Sequence, residues 1–174
     1  MADEALTRAL VAELAKKTDV SWVRVPGERR THPVWHTWHD DTLCLVSGGD
    51  EQPLPDLGDG DRVEVLMRSR DNGGRLLTWV GEVSVVRPDD EAWDAVTAAL
   101  VADRLNLDDL STAAAEWAER SVVRRVRPTG EVVEEPGALS DDAHRHAPLP
   151  TPATTRGRLP RVLHRRVKRQ PPLS

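Results

Sequence analysis

The stretch that most restricts the fold of this chain is residues 61–86, "DRVEVLMRSRDNGGRLLTWVGEVSVV". Side chains alternate across an extended strand. Val63, Val65 and Met67 therefore share one face, and Arg62, Glu64, Arg68 and Arg70 share the other. Asn-Gly between two such runs is a strong hairpin signal. The pair predicts two antiparallel strands, apolar on the side that faces a core. Gly81 interrupts the second strand, where a glycine marks a bulge or the close approach of backbone or ligand. Both readings remain open at this point.

Around this hairpin the rest of the chain arranges itself. Leu6, Leu10, Val11 and Leu14 recur at helical spacing, so the start predicts a helix that stops near Thr18–Asp19. "VSWVRVPG" predicts a strand ended by Pro26–Gly27. "RTHPVWHTW", the turn "HDD" and "TLCLVSG" predict a second hairpin. A loop rich in Gly, Asp and Pro follows, "GGDEQPLPDLGDGD". Pro88-Asp89-Asp90-Glu91 predicts a helix opened by a capping acid, with Trp93, Val96, Leu100 and Leu105 as its buried face. A further helix is expected over 108–119, with Leu110, Ala114 and Trp117 on one side. "SVVRRVRPTGEVVEE" predicts a late hairpin or strand turning at Pro128-Thr129-Gly130. Five or six antiparallel strands with helices at the start and after the main meander indicate an α+β domain around a small barrel.

Length and charge sharpen this picture. The 174 residues suit one domain with appendages. Residues 1–142 hold 16 Lys and Arg against 29 Asp and Glu, near −13, whereas residues 143–174 hold eight Lys and Arg and no acid, or +8. After Gly137 the chain is rich in Pro, Arg and Thr without periodicity. This predicts a domain over 1–136 and a disordered basic tail over 137–174. The tail suits an acidic partner, an anionic surface or nucleic acid, or its own acidic domain, though it carries no aromatic residue for base stacking. One cysteine, Cys44, excludes an intrachain disulfide framework. Its alternation with Thr42 and Val46 predicts a buried, inert thiol. The N-terminus lacks a basic n-region and a long apolar run, so neither a signal peptide nor a membrane span is expected, and the cytoplasm is the default location.

The segment "HPVWHTWHDD", residues 32–41, gathers three histidines and two of the six tryptophans in a chain without Phe or Tyr. His32 and His36 have the spacing of a helical zinc pair, but the β-forming residues around them predict a strand. Four residues of strand span about 13 Å, too far for two nitrogens that each lie about 2.1 Å from one zinc. His39 falls on the opposite face. No metal site is expected here. Instead, His32, Val34, His36 and Trp38 point one way, and Pro33, Trp35, Thr37 and His39 the other. Either Trp35 or Trp38 is expected to pack in the core.

In order and spacing, the initial helix, "RTHPVWHTWHDDTLCLVSGG", "DRVEVLMRS" and "LLTWVGEVSVVRPDDEAWDAV" resemble the pyridoxamine 5'-phosphate oxidase-like family of flavin-binding split β-barrels. The likeness covers about residues 3–105, and "RVRPTGEVV" fits a terminal strand of such a protein. The resemblance implies an antiparallel split β-barrel with flanking helices. It also implies a homodimer with cofactor sites between subunits, and FMN or a deazaflavin as cofactor of an oxidoreductase of unspecified substrate. The ring is then expected near Pro33, Val34 and Trp35, and the phosphate at Arg30 and Ser47. Members of the family usually carry Lys or Arg shortly after the residue that Ser47 matches. Here no base occurs between Ser47 and Arg62, leaving Arg29, Arg30, Arg68 and Arg70 as substitutes. The alternative is a non-catalytic dimeric barrel serving as a binding module, with haem held by His32 or His36, because one axial histidine suffices for haem iron.

Overall fold

The computed structural model describes residues 2–104 and 109–141, with the side chains of residues 2–4 left aside. In chain order the elements are helix α1 (Ala2–Lys17) and strands β1 (Val20–Arg24), β2 (Thr31–Trp35), β3 (Thr37–His39), β4 (Thr42–Ser47), β5 (Arg62–Arg68) and β6 (Arg75–Val86). Helices α2 (Trp93–Asp103) and α3 (Ala113–Arg120) follow, then β7 (Val122–Glu134). All seven strands form one antiparallel sheet in the order β2-β1-β5-β6-β7-β4-β3.

That order contains the architecture. The two edge strands, β2 and β3, are consecutive in sequence and only His36 separates them. The sheet therefore curls until its edges meet at one residue, which removes most of the exposed strand edge. The result is an antiparallel split β-barrel with flanking helices. Strand β2 pairs with β1 (Val34 opposite Ser21), whereas β3 pairs with β4 across a turn at Asp40 and Asp41. Both aspartates adopt positive φ, 47° and 52°, as a tight two-residue hairpin turn requires.

Two apolar clusters lie on opposite sides of this wall. The interior holds Val23, Val34, Leu43, Leu45, Val63, Val65, Met67, Leu77, Trp79 and Val126, capped at one end by Val11 and Ala15 of α1. The outer cluster packs α2 and α3 through Trp93, Val96, Leu100, Ala113 and Trp117 onto Cys44, Val46, Val86 and Val123. Trp38 joins the first cluster and Trp35 the second, as their alternation predicts. Cys44 is a buried free thiol whose pKa burial raises.

Several expectations need correction. The predicted strand "RTHPVWHTW" is two strands with different partners, because the chain must change edges at His36. Helix α1 buries Val11 and Ala15, while Leu6 and Leu10 face outward, because the barrel end covers little more than the last two turns. Helix α2 begins at Trp93, without a side-chain cap. The Asp90 carboxylate instead accepts from the Arg87 amide within the preceding turn. Helix α3 begins at Ala113, so Leu110 is exposed and Ala113 replaces Ala114 on the buried side. Strand β7 runs through Pro128-Thr129-Gly130 without a hairpin, its register with β6 slipping opposite Trp79 and Gly81. Leu105 and the basic segment from 143 onward lie outside the described residues. Among the described residues no helix is long and apolar enough to cross a membrane.

The glycine at 81 now has a packing reason. A Cβ there would stand 2.3 Å from Val126 Cγ1 and 2.7 Å from Trp79 Cζ3, so the largest fully buried side chain needs the space.

Candidate functional site

Apolar side chains pack the barrel interior. At the seam, where the chain passes from β2 to β3, lies a cavity of about 680 Å³. Its walls are the end of α1 (Ala15, Lys16, Thr18, Asp19), the bend from Trp35 to Trp38, and the end of α2 (Ala102, Asp103, Arg104). The bend exists because His36 belongs to neither strand. Its amide donates to the Asp19 carbonyl at 3.1 Å rather than to a strand partner.

His36 is 4% exposed, its ring enclosed beside the Ala15 and Val34 carbonyls. Burial lowers its pKa to about 4, although the Ala15 and Val34 carbonyls and the charges of Asp19 and Asp103 pull the other way. The ring is therefore neutral at pH 7. The indole N–H of Trp35 is buried, with no hydrogen-bond partner among the described residues. The Arg104 guanidinium stacks on the Trp35 ring, 4.2 Å from its centroid. Thr37 donates to Asp103, which ties α2 to β3.

The acidic loop after Ser47 turns out to be structural. Glu51 is buried between helices, forming an ion pair with Arg104 at 2.8 Å and accepting from the Trp117 indole at 2.9 Å. Gln52 clamps the Trp35 backbone from both sides: its Oε1 accepts from the amide at 2.7 Å, and its Nε2 donates to the carbonyl at 3.0 Å. Asp50 lies 3.6 Å from Arg120, and Asp59 pairs with Arg87 at 2.9 Å. The loop thus fixes Trp35 and Arg104 from behind.

The residues expected at a cofactor site are divided by the wall. Pro33 is exposed and Trp35 faces the outer side and the cavity; Val34 is fully buried in the barrel interior. Ser47 follows Leu43 and Leu45 on the inner face and is 2% exposed. Its hydroxyl accepts from Nη1 of Arg124 at 2.7 Å, while Nε of Arg124 donates to the Leu57 carbonyl at 2.9 Å. Arg124 of β7 thus stands beside Ser47, on the strand paired with β4. Arg30 stands half-buried ahead of β2. Of the other two histidines, His32 pairs with Glu28 at 2.7 Å, and His39 borders a shallow recess with Asp40, Glu91 and Arg125. Arg104, Glu51, Gln52 and Arg124 were not singled out from sequence. Only contacts far apart in the chain reveal them, since in sequence each is one charged or polar residue among many.

Comparison with solved structures finds distant likenesses. The FAD- and haem-binding protein of Mycobacterium smegmatis matches at 15% identity and a TM-score of 0.49, over 86% of this chain and 89% of that one. HutZ, the haem storage protein of Vibrio cholerae, matches at 11% identity and a TM-score of 0.49, over 69% and 88%. A conjectural pyridoxamine 5'-phosphate oxidase from Listeria innocua matches at 19% and 0.45, over 72% and 97%. No family model and no curated protein matches the sequence. Strand order and the shared edge carry the barrel assignment.

Proposed function

We propose that this protein is a pyridoxamine 5'-phosphate oxidase-like split barrel that binds FMN or a deazaflavin at the seam cavity. One observation carries the reading: Trp35, the residue expected to wall the ring, lines the 680 Å³ cavity together with Trp38. That volume falls within the range of small-molecule and cofactor sites, roughly 300–1,000 Å³. The ring end fits this cavity. The phosphate end does not fit the pairing of Arg30 with Ser47, because Ser47 lies on the inner face with its hydroxyl engaged by Arg124. Lys16 and Arg104 are the cations that line the cavity itself. A bound flavin brings its own hydride chemistry; the protein contributes the indole wall, hydrogen bonds and the exclusion of water.

Fluorescence titration of the full chain with FMN and with a deazaflavin tests this reading. Saturable quenching is expected, weakened at least ~10-fold in Trp35→Ala. Absence of saturable quenching in the native protein would overturn it.

A second reading rests on His36. A buried neutral imidazole facing a cavity suits an axial iron ligand, making the protein a non-catalytic haem-binding barrel. A Soret shift on adding hemin, lost in His36→Ala and kept in His32→Ala, supports it; an unshifted spectrum ends it. In either reading we propose a homodimer, for which sedimentation equilibrium should return twice the chain mass.

A further inference from the structure

Helix α1 lies across one end of the barrel, against β3 and β7. Part of that contact is made through small residues. Ala9 and Ala12 are three positions apart and so share a helix face. With Trp38 of β3 and Pro128 of β7 they line a second cavity, of about 230 Å³. Arg8, Asp41 and Arg127 complete its lining. Trp38 is the one lining residue it shares with the seam cavity.

Volume, wall and charge together define an occupant. The cavity is smaller than cofactor-sized sites, which hold roughly 300–1,000 Å³, so a flavin or a nucleotide does not fit. Two methyl groups, a proline ring and a half-buried indole make an apolar wall suited to a flat ring, which orders at little entropic cost. The charged lining is two arginines against one aspartate, in a domain whose residues 1–142 carry about −13. Arg127 stands opposite Glu82 in the β6–β7 register, yet it forms no ion pair with Glu82 or with any other carboxylate among the described residues. Its planar guanidinium matches a carboxylate through two parallel hydrogen bonds. Asp41 opposes any further negative charge, so a monoanion is favoured over a phosphate dianion.

We propose that this cavity binds a small aromatic monocarboxylate of one or two rings. The ring lies between Trp38 and the Ala9–Ala12 face of α1, and the carboxylate meets Arg127. The site is separate from the flavin reading and does not rest on it.

The test is calorimetric titration of the full chain at pH 7 with 2-naphthoate and with its neutral isostere, 2-naphthamide. Naphthoate is expected to bind saturably, and the amide at least ~10-fold more weakly, because it lacks the charge-assisted bonds. Two variants locate the site, and both change exposed residues, so the core is left intact. Arg127→Gln should bring naphthoate down to the affinity of the amide. Ala9→Leu should fill the cavity and abolish binding of both probes, with the melting temperature within a few degrees of native. Excess FMN should leave naphthoate affinity unchanged. No saturable heat with naphthoate, equal affinity for acid and amide, or undiminished binding in Ala9→Leu would each overturn the proposal. Competitive displacement by FMN would also overturn it and place the acid in the seam cavity. Failure of FMN to bind at all would remove the flavin reading and leave this one standing.

Discussion

His36 shows how much one residue's surroundings change its chemistry. In sequence it is the middle member of a histidine cluster; in the fold it is buried and neutral, its pKa lowered to about 4. The unfolded chain takes up its proton near 6.5, so between those values the unfolded state binds the proton first. Stability should therefore be unaffected by this group above about pH 6.5 and fall as pH drops toward 4, by about 1.4 kcal/mol per unit. His36→Leu should flatten that slope in urea denaturation measured at pH 7 and pH 5. An equal slope in both proteins would contradict the assignment. Gly81 makes a steric case at the same scale. Gly81→Ala should lower stability by about 1–3 kcal/mol, because its methyl group would overlap Val126 and Trp79 within a filled core. A denaturation midpoint equal to that of the native chain would contradict it.

At the scale of elements, the loop after Ser47 decides how helices and barrel are joined. Glu51 takes Arg104 beyond α2 and Trp117 of α3, and neighbouring Gln52 holds Trp35 at the end of β2. Truncating one partner of a buried ion pair leaves the other charge stranded, which typically costs about 3–5 kcal/mol. Glu51→Ala should thus be strongly destabilising. The pair replacement Glu51→Leu with Arg104→Leu should recover a large part of the loss, as a double-mutant cycle on unfolding free energy will report. The elements themselves were largely legible. The hairpin of β5 and β6 follows from alternation around Asn72-Gly73, and the β3–β4 turn from Asp40-Asp41. Element edges were less so. The exposed face of α1 and the late start of α3 depend on where the barrel end and α2 offer cover, which no local pattern encodes.

For the whole molecule, the segment that follows β7 enters the stability of the sheet. Glu134, near the end of the described chain, is buried beside Arg75 and Thr78, with Ser140 donating both its amide and its hydroxyl. Burial alone would raise its pKa, but the Ser140 and Thr78 hydrogen bonds and the Arg75 charge outweigh it and hold the carboxyl at about 2. Since the folded value is depressed from about 4.5, the stabilisation is complete above that pH and is lost as pH falls through about 2. A chain ended at Gly137 should lose part of this acid tolerance, whereas one ended at Asp141 should retain it. Thermal melts at pH 3 compare the two; identical melts would contradict the role of Ser140. Ser140, which closes on Glu134, lies a few residues beyond the expected boundary at 136–137.

The sequence by itself determined what depends on near neighbours and on composition: antiparallel strands by period-two alternation, tight turns by Asn, Asp and Gly, and the two opposed faces of "HPVWHTWHDD". Tertiary structure alone decided what depends on closure. One strand became two edges of the same sheet, and its bend formed a cavity around His36. Ser47 came to lie on the opposite side of the wall from Trp35, with Arg124 of β7 donating to its hydroxyl. These outcomes follow from pairings between residues more than 60 positions apart, such as Arg124 with Ser47 and Glu51 with Trp117. Alternation assigns a side chain to a face, but only the curl of the sheet decides which face becomes the inside.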